Sequence, residues 1–196
     1  MKNIITISRE FGSGGRSIGR AVAEQLGYSF YDRELIEKIA EETGLSKDFI
    51  EKNGEHSHGT NIFSYAFVGR TAAGQSMDDY LWKKQREIIL KLAEEGKCVI
   101  VGRCADYILR DRKDCLNVFI HADKESRMER IVNLYGETDQ KPEKRLRVKD
   151  KARMANYKYY TEQDWGASKN YHISLCSSEL GLERCENIIV NLAKEL

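Results

Sequence analysis

The sequence predicts an α/β domain of three layers, with a parallel sheet between two layers of helices. Three observations predict it. Short β-branched runs alternate with stretches of helical periodicity from one end of the chain to the other. The runs are continuously apolar rather than alternating, as a strand must be when helices cover both faces of its sheet. A glycine cluster, Gly12 to Gly15, follows the first run directly. Right-handed crossovers bring such turns together at the carboxyl edge of the sheet, where ligands bind.

The elements follow in order. Ile4, Ile5 and Ile7 form the first strand. Ile18, Val22 and Leu26 then recur every four residues with Ala21 and Ala23 between them, and Gly27 is placed to end that helix. Tyr28 to Tyr31 is a second strand. Leu35, Ile36, Ile39 and Ala40 carry a second helix that closes near Gly44. From Gly44 to Gly74 the pattern is irregular and reads as loop and short helix. Ser76 opens a long helix with Asp79 as its capping partner, Leu81, Ile88, Ile89 and Leu92 as its apolar face, and Gly96 at its end. Cys98 to Val101 is a buried strand ending at Gly102, and Asn117 to Ile120 is another. Asp123 can cap a helix whose inner face includes Met128, Ile131 and Val132. Tyr171 to Cys176 is the last strand, and Leu182, Cys185, Ile189 and Leu192 mark the last helix.

Composition narrows the function. The chain has 196 residues, a net charge of +1 and 32% charged residues, which fits one domain with a small lid and gives no global pull toward nucleic acid or membrane. No run approaches the ~20 apolar residues of a membrane span. The apolar run after Met1-Lys2-Asn3 is too short for a secretory leader. The five cysteines are odd in number and form no C-x-x-C, which suits reduced thiols in a cytoplasmic protein. His56 and His58 lack a third ligand at metal-binding spacing. The reading is a cytoplasmic monomer or homodimer with small-molecule partners, and neither nucleic acid nor membrane among them.

The glycine loop carries the chemistry. Gly12-Ser13-Gly14-Gly15-Arg16-Ser17 lies between the first strand and the first helix. Glycines there permit positive φ and let backbone N–H groups approach an anion, and the helix dipole adds to the attraction. The loop departs from G-x-x-x-x-G-K-[ST] because Gly15 stands where lysine is usual. Arg16 or Arg9 could supply that cation, and Ser17 a hydroxyl for Mg²⁺. A dinucleotide fold is the rival: Ser17 stands at its third glycine, yet Asp32 ends the second strand, about where a ribose-binding acid would sit. Two further features fit phosphate chemistry. Eight of the residues from Lys141 to Lys158 are Lys or Arg, against Glu143 and Asp150, which suits a lid that closes over phosphates. Arg103 follows a strand end on the ligand edge and suits an anion. Asp106 and Asp123 are candidate acids near that edge, with Asp123 read first as a helix cap. Tyr157, Tyr159, Tyr160 and Trp165 beside the basic stretch read as packing rather than as a stacking platform.

These segments meet in a family resemblance. "SREFGSGGRSIGRAVAEQLGYSFYDRELI" resembles the start of cytidylate kinase-like proteins, in which a GSGG loop replaces the lysine loop. "CVIVGRCADYIL" looks like the strand and turn that reads G-R-D in cytidylate kinases. "NVFIHADKESRMERI" is similar to their next strand and arginine-bearing helix, and "NYHISLCSSELGLERCENII" to their closing strand and helix. The resemblance implies a single P-loop kinase-like domain over residues 1–196, with 44–75 as an acceptor-side insert and 137–160 as the lid. It implies phosphoryl transfer from ATP, with Mg²⁺, to a nucleoside monophosphate such as CMP. Gly12, Ser13, Gly14, Gly15, Arg16 and Ser17 would hold the ATP phosphates, with Ser17 on the metal. Asp32, Arg33, Arg103 and Cys104 would lie on the acceptor side, Arg127, Arg130 and Arg153 on the lid and donor side. Arg16, Arg103 and Arg153 would be the catalytic cations. Cys104 stands where cytidylate kinases carry the aspartate that reads the pyrimidine. Three classes are therefore kept: a kinase of a nucleotide or other small molecule, a nucleotide-sensing module without turnover, and a dinucleotide-dependent oxidoreductase.

Overall fold

The computed structural model describes residues 1–48, 50 and 76–196. Along the chain run β1 (Ile4–Arg9), α1 (Gly15–Leu26), β2 (Ser29–Tyr31), α2 (Arg33–Thr43), α3 (Met77–Glu95), β3 (Cys98–Val101), α4 (Ala105–Ile108) and β4 (Cys115–His121). They are followed by α5 (Lys124–Tyr135), α6 (Pro142–Thr161), a short 3₁₀ turn (Ser168–Asn170), β5 (Ile173–Cys176), α7 (Ser177–Leu180) and α8 (Leu182–Glu195). Most of the expected insert, with His56 and His58, lies outside the described residues.

The five strands form one parallel sheet in the order β2-β3-β1-β4-β5. β1 is central. Its Ile4 is level with Cys98 of β3 on one side and Cys115 of β4 on the other. The order disposes of the dinucleotide alternative. In the dinucleotide-binding sheet β2 lies beside β1, whereas here β3 is inserted between them.

Strand residues alternate between two cores, which explains why the runs are apolar throughout. Ile4, Cys98, Ile100 and Cys115 pack with Leu35, Ile39, Leu81, Ile89 and Leu92 of α2 and α3. Ile5, Ile7, Val99, Val101, Val118 and Ile120 face the other way, onto Ile18 and Val22 of α1 and Cys185 and Ile189 of α8.

The structure moves some expected boundaries. β4 starts two residues earlier, at Cys115, because the strand pairs with β1 from Ile4 onward. β5 starts at Ile173, since the Tyr171 N–H is taken by Ser168 O in the preceding turn. Ser76 does precede the long helix, but its side chain makes no capping hydrogen bond. Asp123 does cap: its Oδ1 accepts from Ser126 N at 2.8 Å, and this backbone bond foremost draws its carboxyl down to about 2. All five cysteines are free. No helix among the described residues is long and apolar enough to cross a membrane.

Candidate active site

The glycine loop is shaped by its two left-handed residues. Gly12 and Gly14 have φ of 82° and 84°, a conformation that costs other L-residues about 1–2 kcal/mol. Space forbids a side chain as well. A Cβ on Gly12 would meet Arg127 O at 2.7 Å, and one on Gly14 would meet Leu182 Cδ2 at 2.6 Å. Beneath the loop, buried Ser13 donates to Glu10 O at 2.9 Å and Ile120 O at 3.1 Å, while Ser177 Oγ donates to Ser13 O at 2.6 Å. The loop is thereby tied to the ends of β1, β4 and β5, and α1 starts immediately after it.

A cleft of about 300 Å³ opens above this loop at the carboxyl ends of the strands. It brings together Gly12, Gly14, Gly15, Arg16 and Ser17 of the loop with Asp32, Arg103, Arg130 and Arg153. Arg9 and Lys149 add two more cations, so among the described residues six basic side chains face two acids, Glu10 and Asp32. Such a field favours a polyanion. Both acids are already engaged. Asp32 pairs with Arg16 at 2.7 Å and Arg9 at 3.8 Å, and Glu10 with Arg127 at 3.0 Å. Arg130 differs from Arg16: among the described residues it has neither ion pair nor hydrogen-bond partner, and its Nε is buried. Its guanidinium lies 3.4 Å from the point a Gly14 Cβ would occupy.

Not every expected residue faces the cleft. Arg127 is buried and acts as a clamp: Nε donates to Phe11 O at 2.8 Å, and its other nitrogens pair with Glu10 and Asp150. Ser13 lies under the loop. Cys104 is buried behind the cleft, where its Sγ accepts from Asn156 Nδ2 at 3.8 Å. Arg33 begins α2, and its side chain lies outside what the structure describes.

The sequence reading did not single out Asp150, yet it ties the basic helix to the loop. Its Oδ1 accepts from Phe11 N at 2.8 Å and its Oδ2 pairs with Arg127. Arg153, one turn on, donates to Arg9 O at 3.0 Å. The available signal was an acid embedded among eight cations. Downstream, Tyr157 is buried on Asp106, Tyr160 stacks on Trp82 at 4.2 Å, and Trp165 donates to Ser8 Oγ at 3.0 Å. Tyr157, Tyr160 and Trp165 are thus packing, while Tyr159 is exposed and meets Tyr160 edge-on. The half of α6 that follows Asp150 is therefore seated on the body, and the half before it carries most of the exposed charge.

The turn after β3 is the other unusual piece of backbone. Gly102, Arg103 and Cys104 all have positive φ, at 77°, 59° and 53°. Strain of this kind clusters at functional sites.

As for a metal, no three His, Cys, Asp or Glu side chains gather into a metal-binding group among the described residues. Ser17 is exposed, lies on the first turn of α1 and lines the cleft. One hydroxyl fits a Mg²⁺ that takes its remaining ligands from phosphates and water.

A family model described as the cytidylate kinase-like family matches residues 4–179. The chain belongs to the cytidylate kinase-like family. A cytidylate kinase from Methanopyrus kandleri is 24% identical over 164 residues, which cover 79% of this chain and 74% of that protein. Among solved structures, an uncharacterized protein from Eubacterium ventriosum matches with a TM-score of 0.75 at 25% identity, covering 98% of this chain and 99% of that one. The shikimate kinase from Acinetobacter baumannii, in complex with shikimate, matches with a TM-score of 0.57 at 16% identity over 100% and 96% of the two chains. A gluconokinase from Sinorhizobium meliloti matches at 0.56 and 16% over 98% and 94%. The fold of this cytidylate kinase-like protein is the P-loop kinase fold.

Just outside the cleft, the buried Asp106 accepts from Tyr157 Oη at 2.7 Å, and burial pushes its carboxyl up to about 6. A raised folded-state value means that the contribution is greatest when the group is protonated. It is fully present below about pH 4 and is lost as pH rises through 6. At about 1.4 kcal/mol per unit, ionisation costs on the order of 2–3 kcal/mol. Asp106→Asn, which keeps an acceptor for Tyr157, should therefore unfold at a higher temperature than wild type at pH 7.5 and at nearly the same temperature at pH 3. Parallel pH profiles for the two proteins would refute this.

Proposed function

We propose that the protein transfers the terminal phosphoryl group of ATP to a small acceptor, and that this acceptor is a nucleoside monophosphate. The glycine loop set within the six-cation cleft carries the reading. Phosphoryl transfer requires little covalent chemistry from the protein; it requires alignment of two phosphates and positive charge around the group in transit. The N–H groups of Gly12, Gly14, Gly15, Arg16 and Ser17 would hold the β- and γ-phosphates. Arg130, beside Gly14, would take the place of the missing lysine, with Arg16 and Arg153 completing the charge on the donor side. Arg103, across the cleft at the end of β3, would hold the acceptor's phosphate with Asp32 and Arg33 nearby. Mg²⁺ when bound would neutralise charge on the ATP phosphates, with Ser17 as its protein oxygen. The exposed part of the 137–160 segment would close over the cleft and exclude water. Free thiols, four of the five buried, suit a reducing cytoplasm.

Asp32 favours a second reading. A carboxylate lining the cleft suits a hydroxyl acceptor, whose proton it could receive, better than a phosphate. One panel decides among the alternatives: ADP release from ATP with CMP, UMP, dCMP, AMP and GMP, and with shikimate and gluconate. Turnover confined to a nucleoside monophosphate supports the first reading. Turnover confined to a hydroxyl acceptor supports the second. ATP binding by calorimetry without ADP release for any acceptor would leave a nucleotide-sensing module.

A further inference from the structure

We propose that Gln85 is a positioning residue, which holds the strained turn after β3 and aims Arg103 across the cleft. The consequence for the acceptor rests on the phosphotransferase reading above; the holding itself does not. Gly102, Arg103 and Cys104 are left-handed in succession, at φ of 77°, 59° and 53°. Glycine accepts that conformation freely, but Arg103 and Cys104 do not. Nothing in the turn's own residues makes this backbone favourable, so its surroundings must impose it.

Those surroundings are two buried amides, one on each side. Gln85 projects from α3 and is 3% exposed. Its Nε2 donates to Arg103 O at 3.1 Å, and its Oε1 accepts from the Arg103 guanidinium at 3.4 Å. One side chain thus grips both the backbone and the charged end of the same residue. Asn156, also 3% exposed, reaches from α6 to the Cys104 sulfur. From below, Gly102 N donates to Ile7 O at 2.9 Å. The pairing is chemically selective, because a carbonyl needs a donor and a guanidinium needs an acceptor. A primary amide supplies both, whereas a carboxylate, ammonium or hydrocarbon of similar length does not. Arg103 is itself only 5% exposed, so groups left unpaired there could not turn to water. Gln85 shares the task with other contacts of Arg103, which makes the expected effect graded.

The location gives the grip a function. Arg103 lines the cleft and also a small pocket of mixed polarity behind it, which Gln85 shares with Asp78, Trp82 and Leu81. Holding a long cation in one pose before the substrate arrives removes a reorganisation step. Misplacement by about 1 Å can cost on the order of 100-fold in rate.

The test uses the full chain, Gln85→Met, and Gln85→Met combined with Cys104→Gly. The glycine relieves turn strain without restoring the amide, and Cys104→Gly alone serves as the reference because it also removes the sulfur that Asn156 reaches. Gln85→Met should lower the unfolding temperature, lower kcat ~10–100-fold, raise KM for the acceptor that turns over (CMP as first probe) and leave KM for ATP within about twofold. Measured against Cys104→Gly alone, the double variant should lose little further unfolding temperature but should still lose kcat ~10–100-fold. Retention of kcat together with stability in that comparison would show a merely structural role and overturn the proposal. A second readout does not depend on turnover. The Arg103 Nη–H signal in a ¹⁵N-arginine spectrum, assigned by its loss in Arg103→Lys, should be slow to exchange in wild type and fast in both Gln85 variants, because Gln85 Oε1 accepts from Nη1. A signal that stays protected without Gln85 overturns the proposal even if the enzyme is a kinase. A lost signal in a protein that phosphorylates none of the panel upholds the positioning and removes the phosphotransferase reading alone.

Discussion

Arg130→Met should lower kcat for ATP-dependent turnover by about 10²–10³-fold, the scale of removing one preorganised charge from a developing anion. The expectation comes from what surrounds the side chain. Arg130 has no partner among the described residues, its Nε is buried, and its guanidinium lies against Gly14. Methionine keeps most of the stem and removes a cation that supports nothing else, so the unfolding temperature should change little. Arg16 offers less, because Asp32 at 2.7 Å already neutralises it and its side chain is 37% exposed. Initial rates at saturating ATP, with ATP affinity by calorimetry, separate the two. Wild-type kcat in Arg130→Met together with a large loss in Arg16→Ala would move the lysine's role to Arg16.

The assignment of Arg130 and Arg127 to one donor-side group shows where sequence reading stops. The two are three residues apart on α5, and periodicity alone places them on one face. The structure separates them. Arg127 turns under the loop because Glu10 and Asp150 are there to receive it, and both are remote in sequence. Partners set by tertiary approach leave no local signal. The same holds for the strand order. The isoleucine and valine runs reveal that strands exist, but not that β3 enters between β1 and β2. The glycine loop was legible because its backbone needs glycine at Gly12 and Gly14. The turn after β3 was less so: Gly102 marks its start, but nothing about an arginine or a cysteine announces positive φ. The short α4 and α7 fell below any periodicity, at four residues each.

The largest effect on stability should come from Arg127→Leu, at about 3–5 kcal/mol, the usual cost of removing one partner from a buried ionic cluster. Arg127 joins three parts of the chain. It donates to Phe11 O in the loop, pairs with Glu10 at the end of β1 and pairs with Asp150 on α6. The side chains of Arg127 and Asp150 are 10% and 16% exposed, so water would compensate little once the guanidinium is gone. Two carboxylates would then face each other across a partly dry gap. Such a loss is a large share of the 5–15 kcal/mol that holds an ordinary domain together. Urea unfolding measures it directly, and a change below about 1 kcal/mol would place Arg127 with ordinary surface pairs. The cluster also makes a prediction about its own repair. Arg127→Leu with Asp150→Leu removes charge from both sides, and an apolar pair of similar volume can replace a buried ion pair at little cost. The double variant should therefore regain part of the stability. It should not regain activity, because Asp150 also accepts the Phe11 N–H at 2.8 Å and thereby seats α6 on the glycine loop. Stability that returns while turnover does not would separate the clamp's two roles: holding the domain together, and fixing the shape of the glycine loop.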